Sequence, residues 1–195
     1  MAAVVQLLKA GKVGVIPTDT IYGIVGSALN PKTVERIYKL RKRSIDKPFI
    51  ILISQLSDLK KFEIQITEKQ REFLENHWPN PISVVVSGMA FRIPKDLWLR
   101  RLLDQIGPLV APSANFEGEK PAETISEAKK YFGDNVDFYV DGGVIKSQPS
   151  TLIRLNEDGT YTILREGMVK FKVDANSWTN FKTNKGSKIL LTGGD

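Results

Sequence analysis

Hydrophobic and polar positions along the chain repeat with two periods, and the order in which they alternate predicts the architecture. Residues 1–10 have apolar positions at helical spacing, which Gly11 ends. The continuous apolar run over 13–16 has the length of a buried strand, closed by Pro17, and 17–30 reads as a loop. Asn30-Pro31 opens a helix, because proline's fixed φ suits the first helical turn, and Val34, Ile37, Tyr38 and Arg41 continue it at helical spacing to about residue 41. Further strands are predicted over 49–53, 82–86, 91–93, 109–111, 137–140, 151–155 and 160–164. Helices are predicted over 67–76, 95–105 and 124–131, the first opened by Thr67 with Gln70 at the capping-box position.

Strands alternating with helices point to an α/β single domain, a twisted open mixed sheet flanked by helices. The sheet must be mixed, because Asp158-Gly159 makes the last two strands an antiparallel hairpin. Periodicity fades from Met168, so one domain over 1–167 is expected, followed by a polar tail or linker over 168–195. Within that tail, 188–195 reads as an edge strand ending in glycines.

Composition narrows the function classes. A chain of 195 residues with 42% hydrophobic content can bury one ordinary core. It has no apolar run long enough to span a membrane and no secretory leader, so a soluble cytoplasmic protein without membrane partners is expected. Cysteine is absent and His77 is the single histidine, which excludes disulfides and thiolate or histidine metal clusters. The net charge of +6 favours anionic partners such as phosphates or nucleic acid.

Polar chemistry concentrates at a few strand ends, where ligands of α/β sheets bind. Pro17-Thr18-Asp19-Thr20-Ile21-Tyr22-Gly23 gathers two threonine hydroxyls, a carboxylate and a phenol, although a turn with a cap would use the same residues. Arg41, Lys42, Arg43 and Lys47 put four cations within seven residues. A triphosphate needs such convergence, yet a helix C-terminus attracts cations without any ligand. Ser113 and Asn115 follow the strand over 109–111 and suit phosphate or ribose, or simply their own backbone. Ser150 and Thr151 open one strand of the final hairpin, and Arg165 closes the other. No Ser-His arrangement or Gly-Lys-Ser phosphate loop is present.

Taken together with Trp78-Pro79 and Arg92-Ile93-Pro94, these segments have the order and spacing of the threonylcarbamoyl-adenylate synthase family, the YrdC-like domain. The resemblance covers roughly residues 1–167, which looks like the short form of the family. It implies a nucleotidyltransferase, L-threonylcarbamoyladenylate synthase, that makes threonylcarbamoyl-AMP and pyrophosphate from L-threonine, bicarbonate and ATP with Mg2+. The product would pass to threonylcarbamoyl transferase proteins for t6A modification of tRNA.

By the same resemblance, Arg41, Arg43, Lys47, Ser113, Asn115 and Arg165 hold ATP, with Arg41 and Arg43 catalytic. Thr20, Tyr22, Arg92, Ser150 and Thr151 hold threonine, and no protein side chain is assigned to metal. The chain departs from the family pattern in having Arg41 for a lysine, Leu52 for a histidine, Asn80 for a glycine and a short segment between Val86 and Phe91. Two other readings use the same residues: an RNA-binding module tracking tRNA or double-stranded RNA with its basic surface, and a carbamoyl-adenylating enzyme with a different acceptor. His77, beside Trp78, reads as structural.

Overall fold

The computed structural model describes residues 1–171; the remaining 172–195, including the edge strand expected over 188–195, lie outside the described residues. In chain order the elements are α1 (Ala2–Lys9), β1 (Gly14–Pro17), β2 (Tyr22–Ser27), α2 (Pro31–Leu40), β3 (Ile50–Leu52), α3 (Glu68–His77), β4 (Ile82–Val86), β5 (Met89–Arg92), α4 (Leu97–Ile106), β6 (Leu109–Val110), α5 (Ile125–Phe132), β7 (Phe138–Tyr139), β8 (Thr151–Leu155) and β9 (Tyr161–Arg165). Short 3-10 segments occupy Leu56–Phe62 and Gly133–Asn135.

The helices start where local chemistry places them. Asn30 accepts from the amides of Lys32 and Thr33, Thr67 from Gln70, Asp96 from Leu99 and Thr124 from Glu127, each satisfying an amide that the helix itself leaves free. The turn between β4 and β5 is a tight one, with Ser87 at φ 48° and Gly88 at φ 82°, the left-handed pair that matches strand twist in a two-residue hairpin.

All nine strands join one sheet in the order β7-β1-β2-β6-β3-β5-β4-β8-β9. Pairs β1/β7, β3/β5 and β4/β8 are parallel, and the other five are antiparallel, so the sheet is mixed as the hairpin signal requires. One expectation fails: part of the loop predicted over 17–30 is β2, which pairs with both β1 and β6. Its two glycines obscure the pattern. Gly26 is required because a Cβ there would collide with Thr33 of α2, so helix and strand approach more closely than any side chain permits. The 3-10 segment Leu56–Phe62 was also not anticipated; the Asp58 carboxylate accepts from the Ser54 and Gln55 amides at its start.

The two faces of the sheet are covered unequally. On one, α2, α3 and α5 bury Ile37, Leu74 and Phe132 against Val15, Ile24, Ile51, Val84, Phe91 and Ile153. On the other, α1 and α4 bury Val5, Leu8, Leu99, Leu102 and Leu103 against Ile16, Val25, Leu52 and Leu109. Beyond α1 and α4 that second face stays open, and there the cavity lies. Beyond Gly167 the chain turns to the opposite face, where Val169 and Phe171 pack on the larger core and Phe171 meets Tyr161 and His77, at ring-centroid distances of 4.8 and 5.7 Å. No helix among the described residues is long and apolar enough to cross a membrane.

Candidate active site

A cavity of about 840 Å³ opens on the uncovered face, with Ile50, Val85, Ala90 and Leu152 among the residues of its floor. The exit of β1, the end of β5, the segments after α2 and after β6, and the β8–β9 pair bring the chemistry to it.

The β1 exit folds back through Thr18, whose hydroxyl donates to the Ile21 carbonyl at 2.6 Å and lies 3.2 Å from the Thr20 hydroxyl. Between them, Asp19 reaches Arg92 at the end of β5: Oδ1 is 2.9 Å from Nη2, and both side chains are only 5% exposed. Asp19 Oδ2 accepts from the Lys95 amide at 3.0 Å, and Arg92 Nη1 donates to Thr20 Oγ1 at 3.4 Å. The 2.9 Å contact is an ion pair that is not aligned as a hydrogen bond, which leaves Asp19 Oδ1 without a hydrogen-bond partner among the described residues; Arg92 Nε has none there either. Arg92 lines the cavity, where a guanidinium is suited to a carboxylate ligand.

The cations after α2 divide by backbone conformation. Lys42 adopts φ 52°, in the left-handed region, so its side chain turns away to cover the Phe116 ring at 3.9 Å. Arg41, 4% exposed, points inward, where Nε donates to the Asn115 carbonyl and Nη2 to Ser113 Oγ and Asn115 Oδ1 at 3.1, 3.1 and 3.0 Å. Arg41 therefore ties the Ser113-Ala114-Asn115 segment in place. Asn115 also donates from Nδ2 to the carbonyls of Phe116 and Glu119, which commits its side chain to the loop rather than to the cavity wall. Arg43 and Lys47 line the cavity with Ser113.

From the hairpin, Arg165 lines the cavity and donates to the Ser150 carbonyl at 2.9 Å, while the Ser150 hydroxyl lies 2.7 Å from that of Ser83 on β4. The cations sense one another. Burial lowers the pKa of Arg92, Asp19 opposes this, and nearby Arg165 lowers it further. Burial lowers Arg165 and Arg43 adds to it. Burial, with Arg43 again, takes Arg41 down to about 10, against the pull of Glu117. Guanidinium groups that mutually disfavour their own charge create a strongly positive pocket, which an anion would relieve.

Besides Asn115, two more expected ligand residues stand off the cavity. Tyr22 is fully buried on the larger-core face with Ile24; its hydroxyl accepts from the Gly142 amide and donates to the Gly143 carbonyl, each at 2.8 Å. It anchors the strap that leads to Ser150 rather than lining the cavity. Burial raises its pKa above the usual tyrosine value, with Asp141 adding to this against the Gly142 amide, so it stays a donor. Thr151 likewise faces away: its hydroxyl donates to the Val169 carbonyl at 2.5 Å and accepts from the Val169 amide at 3.2 Å. Neighbouring Leu152 and Arg154 point to the cavity instead.

The departures at Leu52 and Asn80 also lie off the cavity, Leu52 fully buried with Leu99 and Leu102, and Asn80 donating to the His77 carbonyl at 3.0 Å. The short β4–β5 connection does reach it, through Ser87 and Gly88. Asp19 and Ser83, which the sequence reading did not assign, do not line the cavity but hold the lining residues Arg92 and Ser150. Asp19 was visible inside the Thr-Asp-Thr segment, whereas nothing in the pattern marks Ser83.

Comparison with known proteins places this geometry. The Sua5/YciO/YrdC family, described as telomere recombination, matches over residues 6–167. The threonylcarbamoyl-AMP synthase of Pseudoalteromonas translucida is 30% identical over 172 residues, covering 78% of this chain and 91% of that protein. Pyrococcus abyssi Sua5 complexed with L-threonine superposes with a TM-score of 0.76 at 26% identity, over 85% of this chain and 53% of that one. This chain thus spans about half the length of the Sua5 chains it matches. Escherichia coli YciO shares the fold, with a TM-score of 0.76 at 23% identity over 86% of this chain and 89% of that one. With the family match spanning most of its length, the chain belongs to the Sua5/YciO/YrdC family.

Proposed function

We propose that the chain is an L-threonylcarbamoyladenylate synthase, joining L-threonine, bicarbonate and ATP into threonylcarbamoyl-AMP for t6A modification of tRNA. The observation that carries this reading is the convergence in one cavity of two sets of side chains, Arg43, Lys47, Ser113 and Arg165, and Arg92, Thr20 and Ser150, with Arg165 bonded to Ser150 where the sets meet. The first set suits a triphosphate. The second suits a small amino acid, with Arg92 available to its carboxylate or carbamate.

The threonine amine attacks bicarbonate carbon and water leaves, giving a carbamate. A carbamate oxygen then attacks the α-phosphorus of ATP, and the bond to the bridging oxygen breaks to release pyrophosphate. No covalent enzyme intermediate is needed, so the protein contributes alignment and neutralisation of charge. In this scheme Arg43, Lys47 and Arg165 take the charge that builds on the leaving pyrophosphate, and Arg41 acts indirectly by holding Ser113 and Asn115. The donor set at this end is cationic and hydroxylic, and no cluster of His, Cys, Asp or Glu fit for a metal occurs among the described residues. Mg2+ is read here as the counter-ion carried by the triphosphate.

The RNA-module reading is less well supported, because Arg41 is buried and Arg43 and Lys47 face a cavity rather than a continuous surface. Transfer to tRNA falls to threonylcarbamoyl transferase proteins that receive the product.

The test is pyrophosphate release from ATP with Mg2+ and bicarbonate, with and without threonine, in the native chain, Arg43→Ala and Arg92→Ala. Threonine-dependent release is expected, with kcat/KM lowered about 100-fold or more in each variant, in line with loss of a transition-state donor. Threonine-independent release would instead indicate a different acceptor, and salt-sensitive RNA binding without turnover would indicate a binding module.

A further inference from the structure

Glu117 stands close behind the cations assigned to the triphosphate, and that assignment gives it no role. It lies just beyond Asn115, and its amide donates to the Arg41 carbonyl at 2.9 Å, which fixes its backbone to the end of α2. Its Oε1 is 2.8 Å from Lys47 Nζ and 3.6 Å from Arg43 Nη1. Lys47 and Arg43 line the cavity, but Glu117 does not. Lys47 holds the Glu117 carboxyl below the usual range, with burial opposing and Arg43 assisting, so the group is an anion at working pH.

We infer that Glu117 is a resident counter-ion for Lys47 and Arg43, which the phosphates of ATP must compete against and which recaptures the lysine as pyrophosphate leaves. The inference rests on the ATP-binding reading above and adds a positioning residue to it. The physical reason is charge balance. A cavity lined by the cations Arg41, Arg43, Lys47, Arg92, Arg154 and Arg165 against only the carboxylates Asp46 and Glu157 would retain a multiply charged product. A carboxylate in contact with one of those cations lowers that retention, because a like charge near the bound anion raises its energy. The Lys47 side chain is 54% exposed and flexible, so it can swing between the two anions, whereas buried Arg41 is held by three hydrogen bonds.

The test is calorimetric titration of the native chain, Glu117→Gln and Glu119→Gln with inorganic pyrophosphate and with a non-hydrolysable ATP analogue. Glu119 is an exposed residue of the same loop, so its variant removes the same net charge without touching Lys47. The expected result is that Glu117→Gln binds both anions about threefold to tenfold tighter and suffers stronger product inhibition by pyrophosphate, while Glu119→Gln matches the native chain. If Glu117 only orders the loop, its loss weakens binding, so equal or weaker binding by Glu117→Gln overturns the inference. Equal tightening in both variants overturns it too, by reducing the effect to net charge. Should the native chain bind neither anion, the ATP-binding reading falls with it; binding by the native chain with no gain in Glu117→Gln removes this inference alone.

Discussion

Arg92 and Tyr22 both belong to motifs that suggest a ligand, and the structure separates them by what each side chain has left to offer. Arg92 lines the cavity beside its ion pair with Asp19, whereas Tyr22 does not, and both hydrogen-bonding directions of its hydroxyl are used by Gly142 and Gly143. Tyr22→Phe should therefore be a stability variant. It leaves the Gly142 amide without a partner, at a cost of about 1–3 kcal/mol, which lowers Tm by about 2–10 °C for a chain of this size. Thermal unfolding together with a threonine titration checks this. A lower Tm with threonine saturation retained is expected, and an unchanged Tm with saturation lost would return Tyr22 to the ligand contacts.

The sequence revealed the motifs but not which way their side chains point, and the reason is parity. In a strand, neighbouring side chains face opposite sides, so an error of one residue changes the face. Because β2 is broken by Gly23 and Gly26 it reads as loop, and without that strand nothing puts Tyr22 on the core face with Ile24 and Gly23 on the cavity face. The same parity separates Thr151 from Leu152. Arg43 was legible because its loop follows the strongly periodic α2, whereas Ser113 follows the two-residue β6 and was marked only by its Ser-Ala-Asn motif.

At the scale of elements, the edge of the sheet hangs on one carboxylate. Asp137, just before β7, accepts from the Val13 amide at 2.8 Å and from Arg36 of α2 at 2.5 Å, and pairs with Lys12. Burial alone would raise its pKa, but the Val13 amide, Arg36 and Lys12 outweigh that and lower it. A carboxyl depressed on folding adds stability above its unfolded pKa of about 3.9 and loses that contribution as pH falls through the folded value. Asp137→Asn should accordingly cost about 1–2 kcal/mol at neutral pH, from the weakened charge-assisted bonds. Its stability should also change less than that of the native chain as pH falls below about 4. Denaturant melts across that range test both points, and parallel acid limbs in the two proteins would contradict the linkage. The strong helix caps at Asn30, Thr67 and Thr124 made those boundaries legible, whereas β6 and β7 are too short to set their own ends.

For the whole molecule, the unequal cover of the two sheet faces accounts for where the site lies. With α1 and α4 covering only part of one face, loops from distant parts of the chain converge on the remainder, and Arg41, Arg92 and Arg165 are held there by hydrogen bonds or an ion pair before any ligand arrives. Preorganised charge of this kind is what an adenylyl transfer requires. The fold class was legible from the alternation of periods, but the sheet order was not, because pairing of β2 with β6 and of β4 with β8 depends on contacts far apart in the sequence. The central claim is that this cavity joins three substrates into one adenylate. The most direct measurement is mass spectrometry of the nucleotide products formed from ATP, threonine and isotopically labelled bicarbonate by the native chain. A threonylcarbamoyl-AMP peak that carries the bicarbonate label, and that disappears when threonine is omitted, is the predicted result. AMP or ADP formed without any labelled adenylate, under conditions where ATP is consumed, would contradict it.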